Sequence, residues 1–324
     1  MCTCINFKTK DNYFGRNLDL EYRFREKVVI TPRAYEFKLK KEKNFKTKYA
    51  IIGMATIIEE YPLYAEASNE KGLAIAGLHF PDNCHYREKE NGKINITPFE
   101  ITPWILGNFA SIKELKNELN KINIINISFS EKVPLTPLHW MISDSNETIV
   151  LEQTSEGLKI YANPVGVLTN NPPFPYHLTN LNNYLNLSVN FAENRFSSRI
   201  LLDTYANGMG AIGLPGDSSS ASRFVRTTFN KVNSVCNEDE ESSVSQFFHI
   251  LDSATMIRGT VLTKDNKYDI TNYSCCINTT KGIYFYKTYN NNQISAVKLN
   301  EKNMNSDKLD VYDLIEKQQI CYQN

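Results

Sequence analysis

The chain has 324 residues, 41% hydrophobic and 11% aromatic, with 14 glycines and 12 prolines, a composition that fills a core and excludes disorder or low complexity. Its 36 basic residues are cancelled by 36 acidic ones, which excludes the broad positive surface of a nucleic-acid binder. No apolar run approaches the roughly 20 residues of a membrane span. The N-terminus Met-Cys-Thr-Cys-Ile-Asn-Phe lacks the basic and apolar regions of a secretory leader, so the expected location is cytoplasmic.

In chain order, strand patterns run over 2–7, 13–17, 27–31, 49–58 and 73–78, with Asp11-Asn12 as a hairpin turn between the first two. A helical stretch follows, in which Ser111-Ile-Lys-Glu114 has the capping-box pattern ahead of Leu115–Leu119. Strands return at 138–143, 148–153, 158–161 and 165–168. Helical patterns then cover 176–187, 197–206, 222–235 and 243–257, and strands close the chain near 273–278, 282–288 and 294–299. Stretches 38–48 and 300–310 read as solvated loops. Strands and helices come in blocks, not in strict alternation, which favours an α+β fold of largely antiparallel sheets with helices on their outer faces. With no linker and no repeat, residues 1–324 read as a single domain.

The cysteines Cys2, Cys4, Cys84, Cys236, Cys275, Cys276 and Cys321 are odd in number and are expected as reduced thiols. There is no C-x-x-C pair, no clustered histidines, no Walker loop and no G-x-G-x-x-G, so neither metal nor nucleotide cofactor is expected.

Position 2 carries the chemical information. A small residue after the initiator methionine permits its removal, and the exposed cysteine then holds both a thiol and a free α-amine. Their reference pKa values are about 8.5 and about 7.7–8.0, so one residue supplies a nucleophile and a base. Read alone, a cysteine at position 2 is far more often a plain buried or indifferent thiol, and the bland reading of Arg16 and Asp19, three apart, is a surface ion pair. Four further motifs accompany it. These are Phe14-Gly15-Arg16-Asn17-Leu18-Asp19, Asn69-Glu70-Lys71-Gly72-Leu73 with Ala76-Gly77-Leu78, Leu168-Thr169-Asn170, and Leu214-Pro215-Gly216-Asp217 leading to Ser222-Arg223-Phe224.

In this order the motifs resemble the choloylglycine hydrolase family, which contains bile salt hydrolases and penicillin V acylases, over nearly the whole chain. Leu138–Asp144 is similar to the family's central strand. The resemblance implies an αββα four-layer sandwich of the N-terminal-nucleophile hydrolase type, without cofactor, assembled as a homo-oligomer (a tetramer in the family). It also implies roles. Cys2 is the nucleophile once Met1 is lost, and Arg16 lies beside the thiol and favours its thiolate. Asp19 orients the α-amine, Asn170 offers its amide to the oxyanion, and Arg223 braces the N-terminal residue. His79 stands where bile salt hydrolases usually carry Asn and penicillin V acylases often carry Tyr. It is read either as a backbone oxyanion donor and substrate contact or as a histidine that merely packs at a strand end. The implied substrates are conjugated bile salts, held by an apolar pocket expected from Leu18, Phe24, Tyr61, Tyr64, Phe129, Val133 and Leu135. A penicillin V acylase or other N-acyl amide hydrolase, a non-catalytic cytosolic binder of amphipathic ligands, and a thiol redox protein are the alternatives. Cys4, the Cys275-Cys276 pair, His139, His177 and His249 are read as structural.

Overall fold

The structure is a computed structural model that describes residues 1–324. Its first half holds β1 (Cys2–Lys8), β2 (Asn12–Leu20), β3 (Lys27–Thr31), β4 (Ile51–Ile58), β5 (Tyr61–Asn69) and β6 (Ala74–His79), then α1 (Ile101–Asn108) and α2 (Ile112–Leu119). Next come β7 (Leu138–Ser143), β8 (Thr148–Thr154), β9 (Gly157–Ala162) and β10 (Val167–Leu168), and the helices α3 (Phe174–Asn180), α4 (Ser220–Val232) and α5 (Glu240–Asp252). The chain ends with β11 (Ile270–Asn278), β12 (Ile283–Thr288), β13 (Asn291–Lys298) and β14 (Asp310–Tyr312). One sheet has six strands in the order β10-β1-β2-β11-β12-β13, the other eight in the order β9-β8-β7-β6-β5-β4-β3-β14. Both are antiparallel throughout.

The two sheets face each other across a core that includes Cys4, Phe14, Val28, Met54 and Met141. A second core, with Ile51, Ala67, Ile105, Leu115 and Trp140, lies between the eight-stranded sheet and α1 and α2. Strand β4 shows why its sequence is almost continuously apolar. Ile51 belongs to the outer core and Ile52 and Met54 to the inner one, so both faces of the strand are buried. Helices α4 and α5 cover the other side of the six-stranded sheet through Phe224, Phe247 and Leu251, completing four layers.

Strand β5 is absent from the sequence reading because Pro62 near its start removes a ladder donor. The proline is tolerated because β6 begins to pair with β5 only at Glu66↔Ala76, which leaves Pro62 with a partner on one side alone, at Ile57. The helix expected over 197–206 does not form. Leu201 is 98% exposed and Phe196 and Tyr205 are also exposed, so no tertiary surface supports an apolar helical face there. The pattern over 176–187 shortens to α3 and a 3-10 turn, Leu181–Tyr184. Within the expected loops, residues 38–48 include one arm of a small ribbon, Glu36–Phe37 with Phe45–Lys46, and 300–310 holds a helical turn at Glu301–Met304.

The register of β1 and β2 sets the geometry used below. Cys2 lies opposite Leu18 and Cys4 opposite Arg16, so Arg16 is the diagonal neighbour of Cys2 on the inner face. Gly15, opposite Ile5, allows β11 to pass at close range: a Cβ there would sit 2.1 Å from the carbonyl oxygen of Cys275. Gly15→Ala is therefore expected to force the central ladder apart and lower unfolding free energy by at least about 2 kcal/mol, read as the urea midpoint. An unchanged midpoint would show that the sheet yields at no cost.

Candidate active site

Cys2, Arg16, Asp19, Asn170 and Arg223 are all buried and converge on the start of β1. On the inner face, Arg16 Nη2 donates to the Cys2 sulfur, while its Nη1 donates to the carbonyl of Gly77 at 2.5 Å. Behind the guanidinium lies Glu66, 3.9 Å from Nε, whose carboxylate accepts from Tyr273 at 2.8 Å and Tyr284 at 2.6 Å. Burial pushes the Glu66 carboxyl up, while Arg16 and the two tyrosine hydroxyls pull it down. The charge on Arg16 is secured by its anionic neighbours against the same burial.

The outer face carries the clamp on the backbone. Arg223, from the first turn of α4, donates through Nη1 to the carbonyl of Cys2 and, at 2.7 Å, to Thr3 Oγ1. Its Nη2 donates to Asn170 Oδ1 at 2.7 Å, and its Nε to the carbonyl of Ser218 at 3.0 Å. The same Asn170 oxygen accepts the backbone N–H of Cys2 at 2.8 Å. One N–H of the Asn170 amide is given to the carbonyl of His79 at 2.8 Å, leaving the other for a further acceptor. Asp19 accepts from Thr271 Oγ1 at 2.6 Å, and its other carboxylate oxygen, Oδ2, is buried with no partner. Burial raises the Asp19 carboxyl against the pull of the N-terminal ammonium and Arg223.

His79 is exposed at the end of β6. The β5–β6 ladder stops at Glu66↔Ala76, so beyond it one edge of β6 is open. Gly77 and His79 point their carbonyls to that edge, towards Arg16 and Asn170. The N–H of a strand residue lies on the same edge as its C=O, so the His79 amide points there too. Burial lowers the basicity of its ring.

The thiol opens on a cavity of about 680 Å³. Leu18, Phe24 and Val133 line it, as expected. Tyr64, Phe129 and Leu135, with Val133 again, line a smaller adjoining space of about 160 Å³ that shares Leu63, Gly77 and Leu138 with the first. Tyr61 lines neither. It opens β5 and packs into an aromatic cluster with Phe37, Phe99 and Phe129. Leu20, Tyr22, Ile58 and Leu63 are cavity residues that the sequence reading lacks, as are the polar Glu21, Lys132 and Asp269. Alternation along β2 beyond Leu18 is the signal that reaches Leu20. Glu66 and Tyr284 carry no signal, since Glu66 meets Arg16 only across the two sheets and Tyr284 joins the site through Glu66.

The histidines read as structural do not touch Cys2, but two brace Asn170. His177 Nε2 donates to the Asn170 carbonyl at 2.9 Å, and His139 Nε2 donates to that of Thr169 at 2.9 Å, with Glu152 on its other nitrogen at 3.0 Å. No group of three His, Cys, Asp or Glu side chains is arranged to hold a metal ion.

A thiol on the second residue, held beside a guanidinium with a backbone donor edge and an amide next to it, is equipped for acyl transfer from an amide through a thioester. The architecture is that of the N-terminal-nucleophile hydrolases. Residues 2–312 match the profile of linear amide C–N hydrolases, choloylglycine hydrolase family. A bile salt hydrolase/transferase from Lactiplantibacillus plantarum is 51% identical over 97% of both chains, and one from Clostridium perfringens is 42% identical over 96% of both. A crystal structure of a variant of conjugated bile acid hydrolase from Clostridium perfringens superposes with a TM-score of 0.92 at 40% identity, covering both chains completely. Penicillin V acylase from Agrobacterium tumefaciens shares the fold, with a TM-score of 0.73 at 17% identity over 97% of this chain and 91% of that one. The chain belongs to the choloylglycine hydrolase family and is a linear amide C–N hydrolase.

His177 yields a pH prediction. Burial lowers its pKa from 6.5 to about 4, so it is neutral in the fold and titrates higher once unfolded. Its contribution is fully present above pH 6.5 and is lost as pH falls towards 4, by up to about 3 kcal/mol. Against His177→Gln, which keeps a donor for Asn170, the wild-type advantage in urea unfolding should shrink between pH 7 and 4.5. A constant difference would remove His177 from the acid sensitivity.

Proposed function

We propose that the protein hydrolyses the amide bond of glycine- or taurine-conjugated bile salts, with Cys2 as the N-terminal nucleophile after loss of Met1. The observation that carries this reading is the Cys2 sulfur, backed by Arg16, facing a large cavity with an apolar wall. Its volume falls in the range of small-molecule sites, and Leu18, Leu20, Phe24 and Val133 suit a rigid apolar acyl group. Lys132 supplies a cation on the wall for an anionic leaving group. The bile salt hydrolases among its relatives support the same substrate class.

In this mechanism the Cys2 sulfur attacks the amide carbonyl carbon and its proton passes to the α-amine of the same residue. The oxygen gains the negative charge and is met by the free N–H of Asn170 and the backbone N–H of His79; each such donor is worth roughly 2.7–4 kcal/mol of barrier. Collapse breaks the C–N bond as the α-ammonium returns the proton to the departing amine. Water, deprotonated by the same α-amine, then hydrolyses the thioester and frees the thiol. Arg16, which cannot take up a proton, favours the sulfur anion. The unpartnered Asp19 Oδ2 supplies an acceptor that orients the α-ammonium.

An active preparation should show, by intact mass, a chain beginning at Cys2. Cys2→Ala should lose at least about 10³-fold in kcat with an unchanged Tm. Glycocholate and taurocholate should both be hydrolysed with higher kcat/KM than penicillin V. A higher value for penicillin V would reassign the substrate and keep the nucleophile, whereas retained Met1 in active enzyme would sink the mechanism.

The reading extends to a homo-oligomer, tetrameric as in the family. Support comes from the extended stretch between α3 and α4, where Leu185, Phe191, Phe196, Leu201 and Tyr205 are all exposed, a density of apolar surface suited to a second copy of the chain. Light scattering should give a mass of four chains, and Leu201→Asp with Tyr205→Asp should reduce it. A monomeric wild type would end this part of the proposal.

A further inference from the structure

Met1 marks an acidic position that the mechanism above does not use. Its ammonium donates to the carbonyl of Asp19 at 2.6 Å and to Asp269 Oδ2 at 3.2 Å. Asp269 directly precedes β11, is buried, and borders the same cavity as Cys2. Its second carboxylate oxygen, Oδ1, is buried without a partner. Successive backbone nitrogens are joined through three bonds and stand at most about 3.7 Å apart. The nitrogen of Cys2 therefore lies within about 7 Å of Asp269 Oδ2. Removal of Met1 transfers the terminal charge to that nitrogen and takes the ion-pair partner away from Asp269.

The charges around the new terminus favour a role for it. Arg16 on β2 is matched by Glu66 across the sheets. Arg223 on α4 and Asp19 on β2 attract each other. On the cavity wall stand Glu21, His79 and Lys132. With Arg16 and Arg223 so matched, Asp269 is the buried carboxylate left to balance the α-ammonium of Cys2.

We propose that Asp269 is a positioning residue of the mature enzyme, a second carboxylate that joins Asp19 in holding the α-amino group of Cys2 and strengthens it as a base. This rests on the reading of Cys2 as N-terminal nucleophile. The field of Asp269 already reaches Asp19, Arg223 and His79, disfavouring ionisation of the first and favouring the protonated forms of the other two. At about 7 Å, a unit charge in a partly buried site moves a neighbouring titration by roughly one to two pH units.

The test is the pH dependence of kcat/KM on glycocholate for mature wild type, Asp269→Asn and Asp269→Glu. The α-amine must be unprotonated to take the thiol proton, so its titration sets the acid limb. Asp269→Asn should move that limb down by roughly one to two pH units and lower kcat with KM within twofold, and Asp269→Glu should restore the wild-type limb. An acid limb unmoved in a folded Asp269→Asn variant would overturn the proposal, as would a change confined to KM. Should Asp269→Asn fail to fold, the pH dependence of cyanate carbamylation at the N-terminus, compared between wild type and Asp269→Ser, reads the same titration, and coincident curves would overturn it. An inactive wild type beginning at Cys2 would instead refute the proposed function, so the two failures are distinguishable.

Discussion

The site depends on burying a chain end inside a sheet. Chain termini ordinarily fray, because few contacts offset their conformational entropy. Here β1 begins at Cys2 and has a strand on each side, β2 and β10, so the second residue is already part of a ladder. Asn170 holds its nitrogen and Arg223 its carbonyl. In the proposed mechanism the nucleophile is also the terminal base and needs this restraint. With both functions on one residue, any fraying would misplace thiol and amine together.

The restraint requires buried charge, and the fold supplies it in matched sets. An isolated guanidinium or carboxylate in such a core would cost several kcal/mol. Arg16 avoids this through the Gly77 carbonyl, the Cys2 sulfur and Glu66, and Glu66 in turn through two tyrosine hydroxyls from β11 and β12. The residue against the Cys2 sulfur is thus held by both sheets at once. Arg223 is held by the backbone of Cys2 and Ser218 and the side chains of Thr3 and Asn170, and so locks α4 to β1. Two histidines fix the segment before α3, so the amide of Asn170 meets the terminus at a set angle.

The cavity is where this rigid apparatus meets looser parts of the molecule. Its floor is β2, β5 and β6, while residues 132–136 form another wall outside any strand of the large sheets. Cys2 and Arg16 therefore sit on paired strands, while part of the cavity wall comes from segments free to vary without disturbing them. His79 stands at this junction. Its backbone is tied to Asn170 through its carbonyl, whereas its ring borders the cavity.

Much of this was legible in the sequence because it is local or motif-bound. The β1–β2 hairpin, the blocks of strands, and the helices near α4 and α5 follow from periodicity and turn residues. The motifs singled out Cys2, Arg16, Asp19, Asn170 and Arg223, which the structure brings together. What it left out has a common physical origin. Tyr61 was assigned to the pocket from its neighbours in sequence, but the face a strand residue presents is decided by pairing, and pairing turns it towards Phe37 and Phe99. The helix expected over 197–206 lacked a surface to pack against, which no local pattern reveals. Glu66, Thr271 and Asp269 lie 50 to more than 250 residues from the groups they meet at Arg16, Asp19 and Met1. Their roles arise only where the sheets stack and β11 is laid beside β2. Local sequence determined the candidate site residues and most of the elements that carry them; tertiary packing decided their counter-charges and the shape of the cavity, because both depend on contacts between segments that are distant along the chain.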